Sequence, residues 1–287
     1  MSLGCLQPGT PLAGGIWETM MSNSKSKGTA LITGASNGIG AVYADRLARR
    51  GYDLILVGRN RERLAKVAQR LTAETHRTVE TIAADLADPA DLARIEANVR
   101  ADGRLTLLVN NAGLGAITPL LNTDVEKMDE LLRVNILALT RLTYAAVPAF
   151  VARGNGAIIN IASAVAVAPD MLNGVYGASK AFVLAFSQSL QTELADKAVR
   201  VQVVLPGATA TDLWSAAGRP VEHLPKEIVM SVDDLVDAAL AGFDMGEFAT
   251  VPSLPNVEEW NSYESARLAL RSKLSLSKPA GRYVKSH

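Results

Sequence analysis

The sequence predicts an α/β fold in which helices cover both faces of a doubly wound parallel sheet of about seven strands. From residue 28 onward, short apolar runs alternate with longer helical patterns, which is the order of βαβ units. The composition is 48% hydrophobic and only 5% aromatic, so aliphatic side chains form the core, as in helices packed on a parallel sheet. Because α/β folds often reach 287 residues undivided, we expect a single domain over 28–287.

Seven apolar runs and seven amphipathic patterns give the predicted elements in order. The strands are predicted at 30–33, 53–57, 79–83, 105–109, 157–161, 199–205 and 248–251. The helices are predicted at 39–50, 61–75, 89–102, 125–153, 175–197, 232–243 and 257–274. Pro89 favours the first turn of its helix, and Gly51, Gly103 and Gly154 are placed to end helices with left-handed backbone geometry.

Three segments lie outside this alternation. Residues 1–27 combine proline, glycine and a Ser/Asn/Lys run without apolar periodicity, which predicts a flexible leader and not a secretory signal. Residues 207–230 form a long stretch with Pro220 and Pro225, and such a stretch in a compact domain predicts a lid over the site. Residues 253–287 are predicted to form a C-terminal extension.

Charge and composition argue against several classes of function. The 29 basic and 29 acidic residues balance, so no broad attraction to nucleic acid or an anionic membrane is expected. No run of ~18 apolar residues predicts a membrane span. Cys5 is the only cysteine, and His76, His223 and His287 lack ligand spacing, so neither a disulfide nor a metal site is expected. A reducing, cytoplasmic location is compatible with this composition.

A glycine-rich turn between the first strand and the first helix predicts a phosphate site. Glycine lets the backbone approach a pyrophosphate, whose charge is stabilised by the N–H groups and positive end of the following helix. The predicted contacts are Gly34, Ser36, Asn37, Gly38, Ile39 and Gly40. The spacing is G-x-x-x-G-x-G and not the common G-x-G-x-x-G. A glycine-rich corner without a ligand is the alternative.

Residues after the next three strands indicate which cofactor would bind. Gly58 stands where an acidic residue would exclude a ribose 2′-phosphate, and Arg59 beside it is free to contact that phosphate. NADP is therefore favoured over NAD. An ordinary surface charge is the alternative for Arg59. Asp85 and Leu86 are placed to meet the adenine edge. After the fourth strand, Asn111, Ala112 and Gly113 suit either a path along the cofactor or a structural link between strands.

Tyr176 and Lys180 are four residues apart on a predicted helix and therefore share one face. A cation held close to a phenol favours the phenolate, so Lys180 is expected to lower the pKa of Tyr176 toward neutrality. Proton exchange with a substrate oxygen would then be practicable. A half-exposed aromatic residue beside a solvated charge is the alternative for this pair taken alone.

These motifs together resemble the short-chain dehydrogenase/reductase family over residues 28–251. The signatures that carry the resemblance are Thr-Gly-x-x-x-Gly-x-Gly at 33–40, Asn-Asn-Ala-Gly at 110–113, Ser163, Tyr-x-x-x-Lys ending at Lys180, and Pro206-Gly207 with Thr211. The resemblance implies a three-layer Rossmann-type sheet, a nicotinamide cofactor contacted by Pro206, Gly207 and Thr211 among others, and a homo-dimer or homo-tetramer. Asn37 departs from the basic residue that many NADP-using members carry there.

The resemblance also implies four catalytic roles. Tyr176 would be the general acid in carbonyl reduction and the general base in alcohol oxidation. Lys180 would favour the phenolate and hydrogen-bond the nicotinamide ribose, and Ser163 would hold the substrate oxygen. Asn135 matches the asparagine that anchors a proton-relay water in relatives. A buried asparagine that satisfies backbone groups at a helix distortion is the alternative for Asn135.

The expected function is NADP-dependent interconversion of an alcohol and a ketone or 3-oxoacyl carbonyl, with a small-molecule substrate. An apolar pocket is predicted from Leu114, Val165, Met171, Leu172, Val175, Leu213 and Trp214. A non-catalytic NADP-binding sensor or scaffold is the alternative, since a fold does not guarantee chemistry. An epimerase or dehydratase of the related extended family is a third interpretation.

Overall fold

The computed structural model describes Met1 and residues 26–284. The predicted leader at 1–27 falls almost entirely outside these residues, as do Cys5 and His287. The structure therefore does not test the prediction for the leader.

The seven predicted strands form one parallel sheet in the order β3-β2-β1-β4-β5-β6-β7. The strands are β1 Thr29–Thr33, β2 Asp53–Gly58, β3 Val79–Ala83, β4 Leu105–Asn110, β5 Gly156–Ile161, β6 Val199–Val204 and β7 Ala249–Thr250. The last strand is shorter than predicted because only two of its residues pair with β6. The strand order reverses between β1 and β4, and ligands of such sheets bind at that crevice.

Helices follow the strands at the predicted places. They are α1 Gly38–Arg49, α2 Arg61–Thr75, α3 Pro89–Ala101, α4 Val125–Leu132, α5 Leu139–Arg153, α6 Gly174–Glu193, α7 Asp212–Ala216, α8 Val232–Met245 and α9 Val257–Ala269. A π-helical turn, Arg133–Ala138, joins α4 to α5 within the single helix predicted at 125–153. The short α7 was not predicted, and α6 and α9 end earlier than expected.

Alternating side chains of the strands divide the core into two layers, as the period of two requires. Ile32 of β1 packs with α1, α2 and α8 on one face, whereas its neighbour Leu31 packs with α3, α5 and α6 on the other. The predicted three-layer arrangement in one domain is therefore confirmed. Both faces of the central strands are buried, which explains their continuous apolar sequences.

Two of the three predicted helix-ending glycines adopt left-handed geometry. Gly51 has φ +95° and Gly154 has φ +59°. The prediction for Gly103 is wrong, because α3 ends at Asp102 with extended backbone and Gly103 is not among the described residues with positive φ. Instead, His76 ends α2 with φ 56°.

One helix in the described part of the chain is long and apolar enough to cross a membrane by length and composition alone, contrary to the sequence expectation. It spans Val125–Arg153 and has a mean hydropathy of 1.5 over its most apolar window. Half of that window is buried inside the protein, and Leu142 and Phe150 belong to the core beneath the sheet. We interpret it as a core helix.

A buried carboxylate links α1 to α2. Asp45 accepts hydrogen bonds from Arg46, Arg49 and Arg70 at 3.0 Å. Burial raises the pKa of Asp45, but the hydrogen bonds from the three arginines outweigh it and lower the pKa to about 2. The carboxylate therefore stabilises the fold in its charged form.

We expect Asp45→Asn to lower the free energy of unfolding by about 1–2 kcal/mol at pH 7. The folded-state pKa lies below the unfolded value, so this contribution is present above about pH 4 and declines as pH falls toward 2. Urea titrations of both proteins at pH 7 and pH 3.5 measure the difference.

Asp233→Asn is the matched control, because Asp233 is an exposed partner of the same Arg46. It should cost less than about 1 kcal/mol. Equal losses for the two variants, or a loss for Asp45→Asn that grows as pH falls, would contradict the assignment.

Candidate active site

The glycine-rich turn lies at the carboxyl end of β1, against the loop that follows β4. Gly34 has φ +67° and Gly38 has φ +53°, conformations that side-chain-bearing residues rarely adopt. A Cβ atom on Gly34 would lie 2.9 Å from the Cα atom of Ala112, and one on Gly40 would overlap the carbonyl oxygen of Gly34. The turn is therefore tight, and glycine is required at both positions for the loop after β4 to pack against it.

The N-terminus of α1 fits a phosphate group. Among the described residues no side chain caps this helix, because the N-cap residue Asn37 donates instead to the Asp212 carboxylate at 2.8 Å. By contrast, Asn60 caps α2 and Asp88 caps α3. First-turn N–H groups without a cap are available to an anion. The predicted contacts in this turn are Gly34, Ser36, Asn37, Gly38, Ile39 and Gly40, and they fit a dinucleotide pyrophosphate.

The residues predicted to contact the adenosine half follow β2 and β3. Arg59 is largely exposed, and its Nη1 lies 3.5 Å from Oε1 of Glu130 on α4. The Asp85 carboxylate accepts from the backbone N–H of Ala87. The Leu86 side chain belongs to the core, so only the backbone of Leu86 could meet an adenine.

Asn111 and Ala112 link β1 to the loop after β4, which was one of the two interpretations of this motif. The side-chain amide of Asn111 donates to the carbonyl oxygen of Thr33 at 2.8 Å. The backbone N–H groups of Asn111 and Ala112 both donate to the Thr33 hydroxyl at 3.0 Å. Next to them, Gly113 leaves space for two functional side chains. A Cβ atom there would lie 3.4 Å from both Asn135 Oδ1 and Lys180 Nζ.

Asn135 is buried on the π-helical turn and holds the loop after β4. Its Oδ1 accepts from the N–H of Leu114 at 2.8 Å, and its Nδ2 donates to the Leu114 carbonyl at 3.0 Å. Nδ2 also donates to the Ser179 hydroxyl at 3.1 Å. These contacts match the alternative role of Asn135, the satisfaction of backbone groups at a distorted helix.

Tyr176 and Lys180 lie on the first two turns of α6, which begins with an Asn173 cap. They are buried, with 7% and 5% exposure. Nζ of Lys180 donates to the carbonyl oxygen of Ile161, at the end of β5, at 3.0 Å and lies 5.9 Å from the Tyr176 ring centroid. The two side chains therefore lie close together on one face of α6, as the four-residue spacing predicts.

The pKa of Tyr176 differs from the sequence expectation. Burial raises it above its ordinary value, and a hydrogen bond with Ser163 only partly opposes this. Lys180 does not lower it here, because the ammonium is directed to the Ile161 carbonyl and burial lowers the pKa of Lys180 itself to about 8. Tyr176 is therefore a neutral phenol near pH 7, a form that can donate a proton.

Ser163 follows β5 and lies beside the turn that follows β6. Its hydroxyl donates to the carbonyl oxygen of Pro206 at 3.3 Å. The following residues Gly207 and Thr211 lead into the predicted lid, and Thr211 Cγ2 would lie 3.5 Å from a Cβ atom on Gly38. The lid segment thus starts in contact with the phosphate turn.

Backbone hydrogen bonds close the base of the segment predicted as a lid. Met230 pairs with Ala208 and Ala210, which leaves α7 on a loop above the site. The indole N–H of Trp214 donates to the Thr209 carbonyl at 3.0 Å. Trp214 therefore stabilises the loop itself.

A cavity of about 420 Å³ opens between the loop after β4, α4 and α7. Leu114 and Leu213 line it, as predicted. Val165, Leu172 and Val175 pack in an apolar cluster with Tyr176. Met171 is not brought into this cluster and is 68% exposed.

Several residues of the cavity were not predicted from the sequence. They are Gly115, Ala116, Thr118, Asn122, Thr123, Asp124, Lys127, Met128, Glu130, Leu131, Ala216 and Ala217. All of them except Ala216 and Ala217, which lie at the end of α7, share one signal: they belong to the segment after β4, beside the point where the strand order reverses. Over the residues that the structure describes, no group of three or more His, Cys, Asp or Glu side chains could hold a metal ion.

Comparison with known proteins identifies the fold and its chemistry. The family model for short chain dehydrogenases matches residues 28–221. A short-chain dehydrogenase from Sphingobium yanoikuyae, solved in complex with NADPH, is 47% identical with a TM-score of 0.87, over 90% of this chain and 100% of that one. The bulky-bulky ketone specific alcohol dehydrogenase from Comamonas testosteroni is 43% identical with a TM-score of 0.84, over 91% and 100%.

A very-long-chain 3-oxoacyl-CoA reductase from Bos taurus is 37% identical over 188 residues, which are 64% of this chain and 60% of the bovine protein. The family match covers most of the chain and includes the glycine-rich turn, Ser163, Tyr176 and Lys180. This chain belongs to the short-chain dehydrogenase/reductase family, whose members are oxidoreductases that interconvert CH–OH and C=O groups with a nicotinamide cofactor.

Proposed function

We propose that the protein is an NADP-dependent carbonyl reductase that acts on a ketone or 3-oxoacyl substrate with a bulky apolar substituent. The observation that carries this proposal is the buried Tyr176 phenol, which is hydrogen-bonded to Ser163 and lies near the ammonium of Lys180 on the same helix. A protonated phenol beside a serine hydroxyl can donate its proton to a substrate oxygen held between them. The names of the ketone-specific and 3-oxoacyl-CoA relatives support this substrate class.

In this proposal the nicotinamide, when bound, supplies the hydride, and the chain supplies the proton and the positioning. The Ser163 hydroxyl donates a hydrogen bond to the carbonyl oxygen and orients it toward Tyr176. Tyr176 then donates its proton to the developing alkoxide. In alcohol oxidation the phenolate of Tyr176 accepts the proton and the hydroxyl is restored.

Lys180 and Asn135 support Tyr176 in different ways. The Lys180 ammonium lies beside Gly113, where we propose that it donates to the nicotinamide ribose and stabilises the phenolate left after proton transfer. Asn135 holds the loop that carries Gly113 and Leu114. We also assign to Asn135 the anchoring of a relay water that returns a proton to the site.

We propose that the protein prefers NADP to NAD because the second strand ends in Gly58 instead of an acidic residue, and Arg59 follows it directly. A guanidinium suits a 2′-phosphate, since its fork can donate two parallel hydrogen bonds. Four solved relatives contain NADPH, NADP or 5-hydroxy-NADP, which is compatible with this preference. Asp85, Leu86 and the turn after β4 would complete the adenosine side.

A homo-dimer or homo-tetramer in the cytoplasm completes the proposal. Tyr144, Phe182 and Phe186 form an aromatic stack on the outer side of α5 and α6, with ring centroids 5.8–6.4 Å apart. Tyr144 is exposed there, and exposed apolar patches commonly mark interfaces. We assign this face to contact with a second copy.

We expect Tyr176→Phe to reduce NADPH-dependent ketone reduction by about 10²–10⁴-fold, because the general acid is lost while the ring still packs. The assay follows absorbance of the reduced nicotinamide with a panel of bulky ketones, small ketones, aldehydes and 3-oxoacyl thioesters. Tyr283→Phe removes an exposed hydroxyl away from the proposed interface and is the matched control.

NADPH affinity of Tyr176→Phe, measured by fluorescence, should stay within a few fold of the native value. Full activity in Tyr176→Phe would contradict the mechanism. Cofactor binding without turnover of any carbonyl by the native protein would favour the sensor interpretation.

We expect Leu213→Ala to change the ratio of kcat/KM for bulky over small ketones by about 10-fold, because Leu213 packs over Gly115 at the cavity. Met171→Ala is the matched control, since Met171 is exposed, and it should change the ratio less than about twofold. A larger effect of Met171→Ala than of Leu213→Ala would place the substrate elsewhere.

A further inference from the structure

Arg59 already has a partner inside the chain. Oε1 of Glu130, on α4, lies 3.5 Å from Nη1 of Arg59. The two side chains come from different elements, and both line the 420 Å³ cavity that reaches Gly113. With 61% and 43% exposure, both remain free to move in solvent, so this contact can be exchanged for another.

We propose that Glu130 is a specificity-determining residue that weakens the preference for NADP by competing with the 2′-phosphate for Arg59. The inference rests on the proposed function, in which Arg59 receives that phosphate. It adds to the residues that determine cofactor specificity one that lies outside both the glycine-rich turn and the end of β2.

The two cofactors differ only at the group that Glu130 would affect. NADP carries a phosphomonoester with a charge of about −1.5 to −2 at neutral pH, by analogy with other phosphomonoesters. NAD carries a neutral hydroxyl there. A phosphate must displace the Glu130 carboxylate from Arg59 and then remain near its negative charge. The hydroxyl of NAD neither has to displace Glu130 nor is repelled by its charge. Glu130 therefore weakens the binding of NADP selectively.

The other charged groups around the cavity do not replace Glu130 in this role. Asp124 and Lys127 also line it, with opposite charges. Arg63 lies 3.9 Å from the Asp212 carboxylate, which is held by Asn37 at the phosphate turn. Glu130 is the acid that the structure pairs with Arg59.

The test compares dissociation constants of NADPH and NADH for the native protein and Glu130→Gln, measured by fluorescence quenching at low ionic strength. An exposed ion pair predicts a modest effect, and we expect NADPH to bind about two- to fivefold more tightly to the variant. NADH affinity should change less than about 1.5-fold. The gain should shrink in 1 M salt, where exposed charges are screened.

Asp129→Asn is the matched control. It removes the same charge from the adjacent position of α4, but Asp129 does not line the cavity. It should leave both affinities within about 1.5-fold of the native values. If Asp129→Asn raised NADPH affinity as much as Glu130→Gln, the effect would follow from the net charge of the protein alone. That result would overturn the proposal.

A double-mutant cycle with Arg59→Ala separates competition for Arg59 from repulsion of the whole cofactor. If Glu130 acts through Arg59, the gain from Glu130→Gln disappears in the Arg59→Ala background. A gain that persists there, or no gain in the native background, overturns the proposal. If Arg59→Ala itself leaves NADPH affinity unchanged, the proposed NADP preference fails together with this inference.

Discussion

Burial of Tyr176 and Lys180 at the start of α6 is the constraint on which the site depends. Lys180 is satisfied by the carbonyl oxygen of Ile161, so the ammonium is tied to the end of β5. Burial favours the uncharged forms, which raises the pKa of Tyr176 and lowers that of Lys180. Burial alone makes Tyr176 a weaker acid than a free phenol, so the proton donation proposed for it requires that Lys180 stabilise the phenolate that forms.

The parallel sheet brings the remaining groups to this pair. The glycine-rich turn, the Asn-Asn-Ala-Gly motif, Ser163 and Pro206-Gly207 each follow a strand, and parallel strands place their carboxyl ends along one edge. The turn after β1, the asparagine turn after β4 and Ser163 after β5 therefore converge. Asn111 joins the turn after β1 to the turn after β4 by its hydrogen bond to Thr33. Asn135 holds the rest of the loop after β4 through its hydrogen bond with Leu114. Polar contacts thus keep the loops in place around a cavity that both polar and apolar side chains line, in contrast to the apolar pocket predicted from the sequence.

Sequence patterns predicted the sheet well because strands buried on both faces need continuous apolar runs. Features that depend on contacts between distant segments were not accessible. The π-helical turn at Asn135 is linked to contacts with Leu114, and the pairing of Glu130 with Arg59 joins two elements that the sequence separates. The spacing of Tyr176 and Lys180 predicted their shared face, but burial determined their pKa values. Met171 was assigned to the pocket by composition, whereas the structure leaves it in solvent.

The most direct test of the account is transfer of label from the cofactor to the product. NADPH carrying deuterium at both C4 positions of the nicotinamide would be incubated with the protein and a bulky ketone, and the alcohol analysed by mass spectrometry. The account predicts one deuterium on the carbinol carbon of each product molecule. Because hydride does not exchange with solvent, the same result is expected when the reaction runs in ordinary water. An alcohol formed without deuterium would contradict direct hydride transfer, and with it the role assigned to Tyr176.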